Sequence, residues 1–115
     1  MALQLMDTFT TFVDSLAESL DDHDASGEDL AARAYLSRFH FDRVVSAVSG
    51  ETPVCLRRRI LLERAAFRLV TTRATVLEVA LEAGYSSNEA FTRAFRAEVG
   101  DTPSHFRRAH AGHPN

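Results

Sequence analysis

Apolar residues recur every three or four positions along most of the chain, a period typical of helices that bury one face. Two stretches fifty residues apart carry this spacing: Phe41, Val44, Val45, Val48 and Phe91, Ala94, Phe95, Val99. No stretch of useful length alternates as a strand would. The pattern predicts an all-α protein of about seven helices, at 7–21, 28–34, 37–48, 53–71, 76–82, 87–99 and 103–109.

Polar residues mark where several of these helices begin. Three segments resemble capping boxes, in which a hydroxyl and an acid three residues later satisfy free N–H groups: Ser26-x-x-Asp29, Thr75-x-x-Glu78 and Ser86-x-x-Glu89. The Thr-Pro pairs at 52–53 and 102–103 place proline in a first helical turn, where no hydrogen bond is lost.

The chain repeats itself with a shift of fifty residues. This shift aligns Phe41 with Phe91, Arg43 with Arg93, GETP at 50–53 with GDTP at 100–103, and Leu56-Arg57-Arg58 with Phe106-Arg107-Arg108. Each copy contains a short helix, a turn and a second helix. We therefore expect an N-terminal helix and first helix-turn-helix subdomain at 1–52, a linker helix at 53–71, a second helix-turn-helix subdomain at 72–109 and a flexible tail at 110–115.

The second helix of each copy exposes the face opposite its apolar stripe. These faces carry Phe39, Asp42, Arg43 and Ser46 in one copy, and Glu89, Thr92, Arg93 and Arg96 in the other. Guanidinium groups bind guanine, carboxylates accept from the cytosine amino group, and apolar rings contact the thymine methyl. The pattern favours a pair of DNA-reading helices, although an ordinary solvated helix surface has the same composition.

Charge changes this picture because it is unevenly distributed. The 115 residues have a formal net charge of −3, and all thirteen basic residues are arginine. Residues 1–32 hold eight acids and no arginine, whereas residues 33–115 hold thirteen arginines against eight acids. A surplus of five positive charges on the body points to a polyanion as partner, although a solvated helical surface explains it equally well.

Other chemistry is weakly indicated. Cys55, the single cysteine, lies between two apolar residues and is predicted to be a small buried side chain rather than a nucleophile. The pair His110 and His113 lacks the further ligands of a metal site. We expect no enzyme activity, no cofactor and no metal. The chain shows neither a secretory leader nor a membrane-spanning run, and we expect a cytoplasmic location.

The second copy resembles the second helix-turn-helix signature of the AraC/XylS family of bacterial transcription regulators. The residues that carry this resemblance are Val79-Ala80, Gly84-Tyr85-Ser86, Phe91, Arg93, Phe95, Gly100, Thr102-Pro103 and Phe106-Arg107. The first copy is similar but weaker, through Leu30-Ala31, Ser37, Phe41, Arg43, Gly50 and Thr52-Pro53. The similarity extends over residues 8–109.

This resemblance implies a sequence-specific DNA-binding regulator whose third and sixth helices enter successive major grooves of double-stranded DNA. It implies base contacts from Phe39, Asp42, Arg43, Asn88, Glu89 and Arg93. It implies phosphate contacts from Ser37, Arg38, Ser87 and Arg96, together with helix N-termini. A monomer is expected on the DNA, and RNA polymerase is a further expected partner.

Three features depart from the family pattern. Tyr35 occupies a turn position where the family usually has glycine, and Val45 replaces a usual phenylalanine. Residues 1–25 are too short for the sensor domain of most members, so the chain is either a small stand-alone regulator or part of a longer protein. The alternative function is a helical interaction module that binds RNA polymerase or another regulator without specific DNA binding.

Overall fold

The computed structural model describes residues 2–33 and 37–111, and within these ranges it contains helices and no strand. The helices are α1 (Ala2–Glu18), α2 (Gly27–Arg33), α3 (Arg38–Ser49), α4 (Pro53–Thr71), α5 (Val76–Glu82), α6 (Asn88–Val99) and α7 (Pro103–His110). The all-α prediction is confirmed. Tyr35 and His113 lie outside the described residues.

The chain divides into two compact units, Met1–Arg58 and Arg59–Asn115. Helix α4 contributes its first six residues to the first unit and the remainder to the second. The finer division into two subdomains and a linker helix stays a prediction.

Helices α2 to α7 begin and end within one residue of their predicted bounds, whereas the prediction for α1 was wrong by several residues. Residues 2–6 are all strong helix formers, so α1 starts before its first amphipathic turn. It ends at Glu18 because the next carbonyls turn toward one side chain. Arg57 Nη2 donates to the carbonyl oxygens of Ser19, Leu20 and Asp22, at 3.3, 3.0 and 2.7 Å.

Two of the three predicted capping boxes are present. Ser26 and Asp29 bind each other's backbone N–H, at 3.1 and 3.0 Å, and Thr75 and Glu78 do the same. The third prediction was wrong by one position. Ser87 rather than Ser86 caps α6, since its Oγ accepts the N–H of Ala90 at 3.1 Å from an extended backbone. The neighbouring serines have the same capping chemistry, so local sequence could not separate them.

The core of the first unit forms around Phe41, which has no exposed surface. Its ring meets that of Phe12 of α1 edge-on, with the centroids 5.1 Å apart. Val45, where the family usually has phenylalanine, is also fully buried. The ring that the family pattern puts at position 45 is absent here, and α1 supplies Phe12 as an aromatic partner for Phe41.

The second unit has a longer aromatic core. Phe91 and Phe95 have no exposed surface, and their centroids lie 5.5 Å apart. Tyr85 extends this row on the Phe91 side and Phe106 on the Phe95 side. Aromatic pairs at these separations add stabilisation beyond the apolar area that they bury. These contacts hold α6 against α7 and against the turn that follows α5.

Arg57 and Arg107, which the fifty-residue shift aligns, have the same structural role. Arg57 donates to the carbonyl oxygens that follow α1, and Arg107 donates to those of Leu69, in the last turn of α4, and Ala74, just after α4, the first at 2.8 Å. A guanidinium can hold several carbonyls at once because its five donors are rigidly spread. The fifty-residue repeat therefore includes this arginine–carbonyl contact as well as the apolar core positions.

The turn before α7 is closed by Asp101, which accepts the N–H of Thr102 at 2.8 Å and lies 2.6 Å from His105 Nδ1. The hydrogen bond with His105 is the main cause that lowers the pKa of Asp101 below its usual value. The carboxylate therefore stabilises this turn at neutral pH, and that contribution is lost as the pH falls through the lowered pKa.

The prediction that Cys55 is buried was wrong, because the side chain is exposed. In the first turn of α4, Pro53 and Leu56 are the residues that face the core. Their spacing directs Val54 and Cys55 outward. None of the described helices is both long enough and apolar enough to cross a membrane.

Replacing Arg107 by methionine should lower the free energy of unfolding by about 1–3 kcal/mol, because two partly buried carbonyls lose a charged donor. The matched control is Arg108→Met. Arg108 is exposed and makes no hydrogen bond with any described residue, so its replacement should change stability by less than about 0.5 kcal/mol. Urea unfolding followed by circular dichroism measures both, and equal effects would contradict the capping role.

Candidate nucleic-acid interface

Helix α6 has one buried face and one charged exposed face. Phe91 and Phe95 anchor the buried side, and the exposed side carries four of the predicted contact residues: Asn88, Glu89, Arg93 and Arg96. Helical geometry directs Glu89, Arg93 and Arg96 away from the two buried phenylalanines, whereas Asn88 lies three and seven residues before them and is exposed as the first residue of α6. Glu89, Arg93 and Arg96 therefore share one solvent-facing surface, which together with Asn88 at the N-terminus of the helix we call the α6 face.

The arginines of the α6 face are free of ion pairs. Neither Arg93 nor Arg96 forms a salt bridge with any residue that the structure describes, although Glu89 lies one turn before Arg93. Arginines of α4 behave differently: Arg68 binds Glu82 through two hydrogen bonds of 2.9 Å. The α6 face thus presents two uncompensated guanidinium groups, which suit guanine edges or phosphates.

Helix α3 presents a second surface of this kind, with an aromatic component. Phe41, Val44 and Val45 are buried, whereas Phe39 is 73 % exposed and Arg43 is exposed beside it. The Arg43 guanidinium lies over the Phe39 ring, 5.7 Å from its centroid, within the range of a cation–π contact. We call Phe39 and Arg43 the α3 pair. An exposed ring with a stacked cation combines apolar contact with hydrogen-bond donors.

Arg38 and Asp42 do not act as independent exposed groups. Arg38 Nε donates to both carboxylate oxygens of Asp42, at 3.0 and 3.1 Å, and Arg38 Nη1 donates to Glu28 at 3.1 Å. Asp42 was predicted to contact a base and Arg38 a phosphate. In the structure they bind each other, and Glu28 of α2 completes the group. We call Glu28, Arg38 and Asp42 the carboxylate bridge.

Gly27, at the start of α2, makes room for the bridge. A Cβ at this position would lie 2.1 Å from Arg38 Cζ, so any larger residue would displace the guanidinium. Neither Gly27 nor Glu28 was among the predicted site residues. The i, i+4 spacing of Arg38 and Asp42 was a usable signal for their ion pair. The contribution of α2 depends on tertiary packing and could not be read from spacing.

Ser37 and Ser87 occupy equivalent N-cap positions of α3 and α6. The Ser37 Oγ accepts the N–H of His40 at 3.2 Å, and the Ser87 Oγ accepts that of Ala90. A hydroxyl that accepts in this way keeps its own proton to donate. Each serine can therefore cap its helix and still donate a hydrogen bond to a phosphate oxygen near the positive end of the helix dipole.

No group of three or more His, Cys, Asp or Glu side chains in the described residues could hold a metal ion.

A family profile described as a helix-turn-helix domain matches residues 30–109, which include α3 and α6. A crystal structure of an AraC-type DNA-binding domain-containing regulator from Chromobacterium violaceum has the same fold. Its TM-score is 0.85 at 26 % identity, over 95 % of this chain and 96 % of that one. The chain belongs to the AraC/XylS family of DNA-binding domains. The resemblance found in the sequence is confirmed.

Two further proteins have higher sequence identity to this chain. The HTH-type transcriptional regulator Rv1931c of Mycobacterium tuberculosis is 39 % identical over 83 residues, which are 72 % of this chain and 32 % of that protein. The DNA-binding domain of AdpA, a global transcriptional factor solved in complex with a target DNA, is 33 % identical with a TM-score of 0.76. It is matched over 86 % of this chain and 91 % of that domain. The chain spans 59 % and 32 % of the lengths of the first two curated relatives that it matches.

The two faces of α3 can be tested with neighbouring phenylalanines. Phe39→Ala should change the free energy of unfolding by less than about 0.5 kcal/mol, because the ring is mostly exposed. Phe41→Ala should lower it by about 3–5 kcal/mol, because a fully buried ring leaves a cavity. Thermal and urea unfolding give both values. A large loss from Phe39→Ala would mean that α3 is rotated from the orientation described.

Proposed function

We propose that this AraC/XylS domain binds double-stranded DNA sequence-specifically and serves a transcription regulator. The single observation that carries the proposal is the α6 face, where Arg93 and Arg96 are exposed, form no ion pair with any described residue and lie opposite the buried Phe91 and Phe95. A helix that is anchored on one side and cationic on the other fits the major groove. Membership of the family supports the same function.

Base reading is assigned to residues of both recognition helices. On α6 these are Asn88, Glu89 and Arg93, and on α3 they are the α3 pair. Arginine binds the O6 and N7 atoms of guanine, asparagine binds adenine, and glutamate accepts from the cytosine amino group. Phe39 would pack against a thymine methyl. Asp42, also predicted to contact a base, is considered below with its partner Arg38.

Phosphate contacts are assigned to Ser37, Ser87 and Arg96. The two serines stand at helix N-termini, where backbone N–H groups and the helix dipole favour an anion. Arg96 lies one turn beyond Arg93 on the same exposed surface. These contacts would fix the position of the helices on the duplex and carry no base preference of their own.

The two recognition helices are proposed to enter successive major grooves, with one monomer on an asymmetric site. The support is the fifty-residue repeat and the α4 helix of 19 residues, about 28 Å long at 1.5 Å per residue. Successive turns of the duplex are about 34 Å apart. Hydroxyl-radical footprinting should show two protected segments one turn apart. A footprint within a single half-turn would contradict this geometry.

The proposal includes a cytoplasmic location, contact with RNA polymerase and no catalytic activity. The assignment to RNA polymerase is an expectation from the family resemblance, and no described surface is assigned to it. If the domain fails to bind any duplex at low salt while remaining folded, the function as a protein-interaction module replaces DNA binding.

Arg93→Ala should weaken binding to the preferred site by about 1–3 kcal/mol and relax the preference at one base pair, because a bidentate contact is lost. Selection from a randomised duplex library, followed by fluorescence anisotropy on single-base variants, measures both effects. Circular dichroism confirms that the variant is folded. Unchanged affinity and unchanged preference would show that α6 is not a recognition helix.

Arg96→Ala should weaken binding to all sequences alike and reduce the salt slope by about one, because a phosphate contact is lost. The unmodified domain should show a slope of log affinity against log salt of roughly −4 to −5, as expected for four to six phosphate contacts. Arg93→Ala is the matched control, since it removes the same charge three residues away. If both variants lose sequence preference equally, the division between base and phosphate contacts is wrong.

A further inference from the structure

The carboxylate bridge places a cation between two acids at the junction of α2 and α3. The two Arg38 Nε contacts with Asp42 and the Arg38 Nη1 contact with Glu28 all fall between 3.0 and 3.1 Å. Behind the guanidinium, Gly27 leaves no space for even a methyl group. Arg38 thus contacts Glu28 and Asp42 and lies against Gly27, with its side chain half-buried.

The orientation of the pair argues against a role in stabilising α3 itself. Arg38 is the first residue of α3, where the positive end of the helix dipole disfavours a cation. The order of a base followed by an acid four residues later is also the weaker arrangement within a helix. The link to Glu28 in α2 is different, because it joins the two helices of the first helix-turn-helix. The contacts therefore serve the packing of α2 on α3 and the charge of Asp42.

The positions of the second copy that are equivalent to Arg38 and Asp42 carry no charge. The fifty-residue shift aligns Arg38 with Asn88 and Asp42 with Thr92, and both of the aligned residues are neutral. Arg38 and Asp42 together also sum to zero. A negative charge on the outward side of a recognition helix would repel phosphates. In the first copy, the adjacent Arg38 neutralises the negative charge of Asp42.

We propose that Arg38 is a positioning residue, which joins α2 to α3 and neutralises Asp42, and that it is not a phosphate contact. Asp42 reads no base while this pair is intact. Phe39 and Arg43 are then the base readers of α3. The inference rests on the proposed DNA-binding function, whereas the pairing itself can be tested in the free protein.

A double-mutant cycle separates the two roles of Arg38. The affinity of the full chain for one duplex is measured between 50 and 200 mM NaCl for the unmodified protein, Arg38→Gln, Asp42→Asn and the double variant. Arg38→Gln should weaken binding to all sequences, because Asp42 then faces the phosphates unpaired. Asp42→Asn should leave Arg38 paired with Glu28 alone, and the loss of one negative charge beside the DNA should steepen the salt slope by up to one. That change corresponds to an up to about fourfold larger loss of affinity over this salt range.

The double variant distinguishes pairing of Arg38 with Asp42 from contact of Arg38 with a phosphate. Because the pair has no net charge, the double variant should return to within about twofold of the unmodified affinity and to its salt slope. If Arg38 contacts a phosphate, the double variant will instead lose as much slope as Arg38→Gln, and the proposal is overturned. A merely structural role would lower the unfolding temperature without moving the slope in this pattern, which would equally overturn it.

A second measurement is independent of DNA affinity. The side-chain Nε–H resonance of Arg38 in the free protein should shift in Asp42→Asn and in Gly27→Ala, which forces the guanidinium outward. In the unmodified protein, the chemical shift of this resonance should not change when the duplex is added. A shift on DNA addition as large as that in Asp42→Asn would mean that Arg38 transfers to a phosphate. Absence of salt-dependent binding by the unmodified protein would refute the DNA-binding function, while the free-protein spectra would still report the pairing.

Discussion

Each recognition helix depends on one phenylalanine that has lost all contact with solvent, Phe41 in α3 and Phe91 in α6. A helix of 12 residues is marginal in water by itself, so packing must hold it in place. Burial of this ring also sets the rotation of the helix about its axis. Once the rotation is set, the outward positions follow from helical geometry, and Arg43 and Arg93 are exposed for the same reason.

The two copies reach this common arrangement by different packing. In the second unit, Phe91 lies in a row of aromatic residues that runs from Tyr85 to Phe106. In the first, Val45 takes the place of one ring, and Phe12 of the additional helix α1 packs against Phe41. Their polar faces differ as well, since α3 combines an exposed ring with a compensated charge pair and α6 carries uncompensated arginines. In both copies a buried phenylalanine sets the orientation of the helix, but the polar side chains that α3 and α6 present to a ligand differ.

Sequence periodicity was sufficient for most of the fold, because α2 to α7 have local start signals and buried positions at regular spacing. It failed where a distant residue decides the outcome. The end of α1 depends on Arg57, which lies 35 residues or more beyond the carbonyls that it holds. Cys55 is exposed because of the face that α4 turns to the core, and its apolar neighbours in sequence carry no such information. In the candidate site, exposure of Arg93 followed from the pattern, whereas the link from Arg38 to Glu28 required three-dimensional contacts.

The shared role of Arg57 and Arg107 has a consequence for the order in which the chain can fold during synthesis. Both arginines lie in the helix that follows the recognition helix of their unit, so neither set of carbonyls has its donor when that helix has just emerged. Domains generally fold as units as the chain leaves the ribosome. The first unit can close only after the opening turns of α4 are made, and the second only after α7 has begun. Each unit therefore remains incomplete for the time it takes to translate the last few residues that close it.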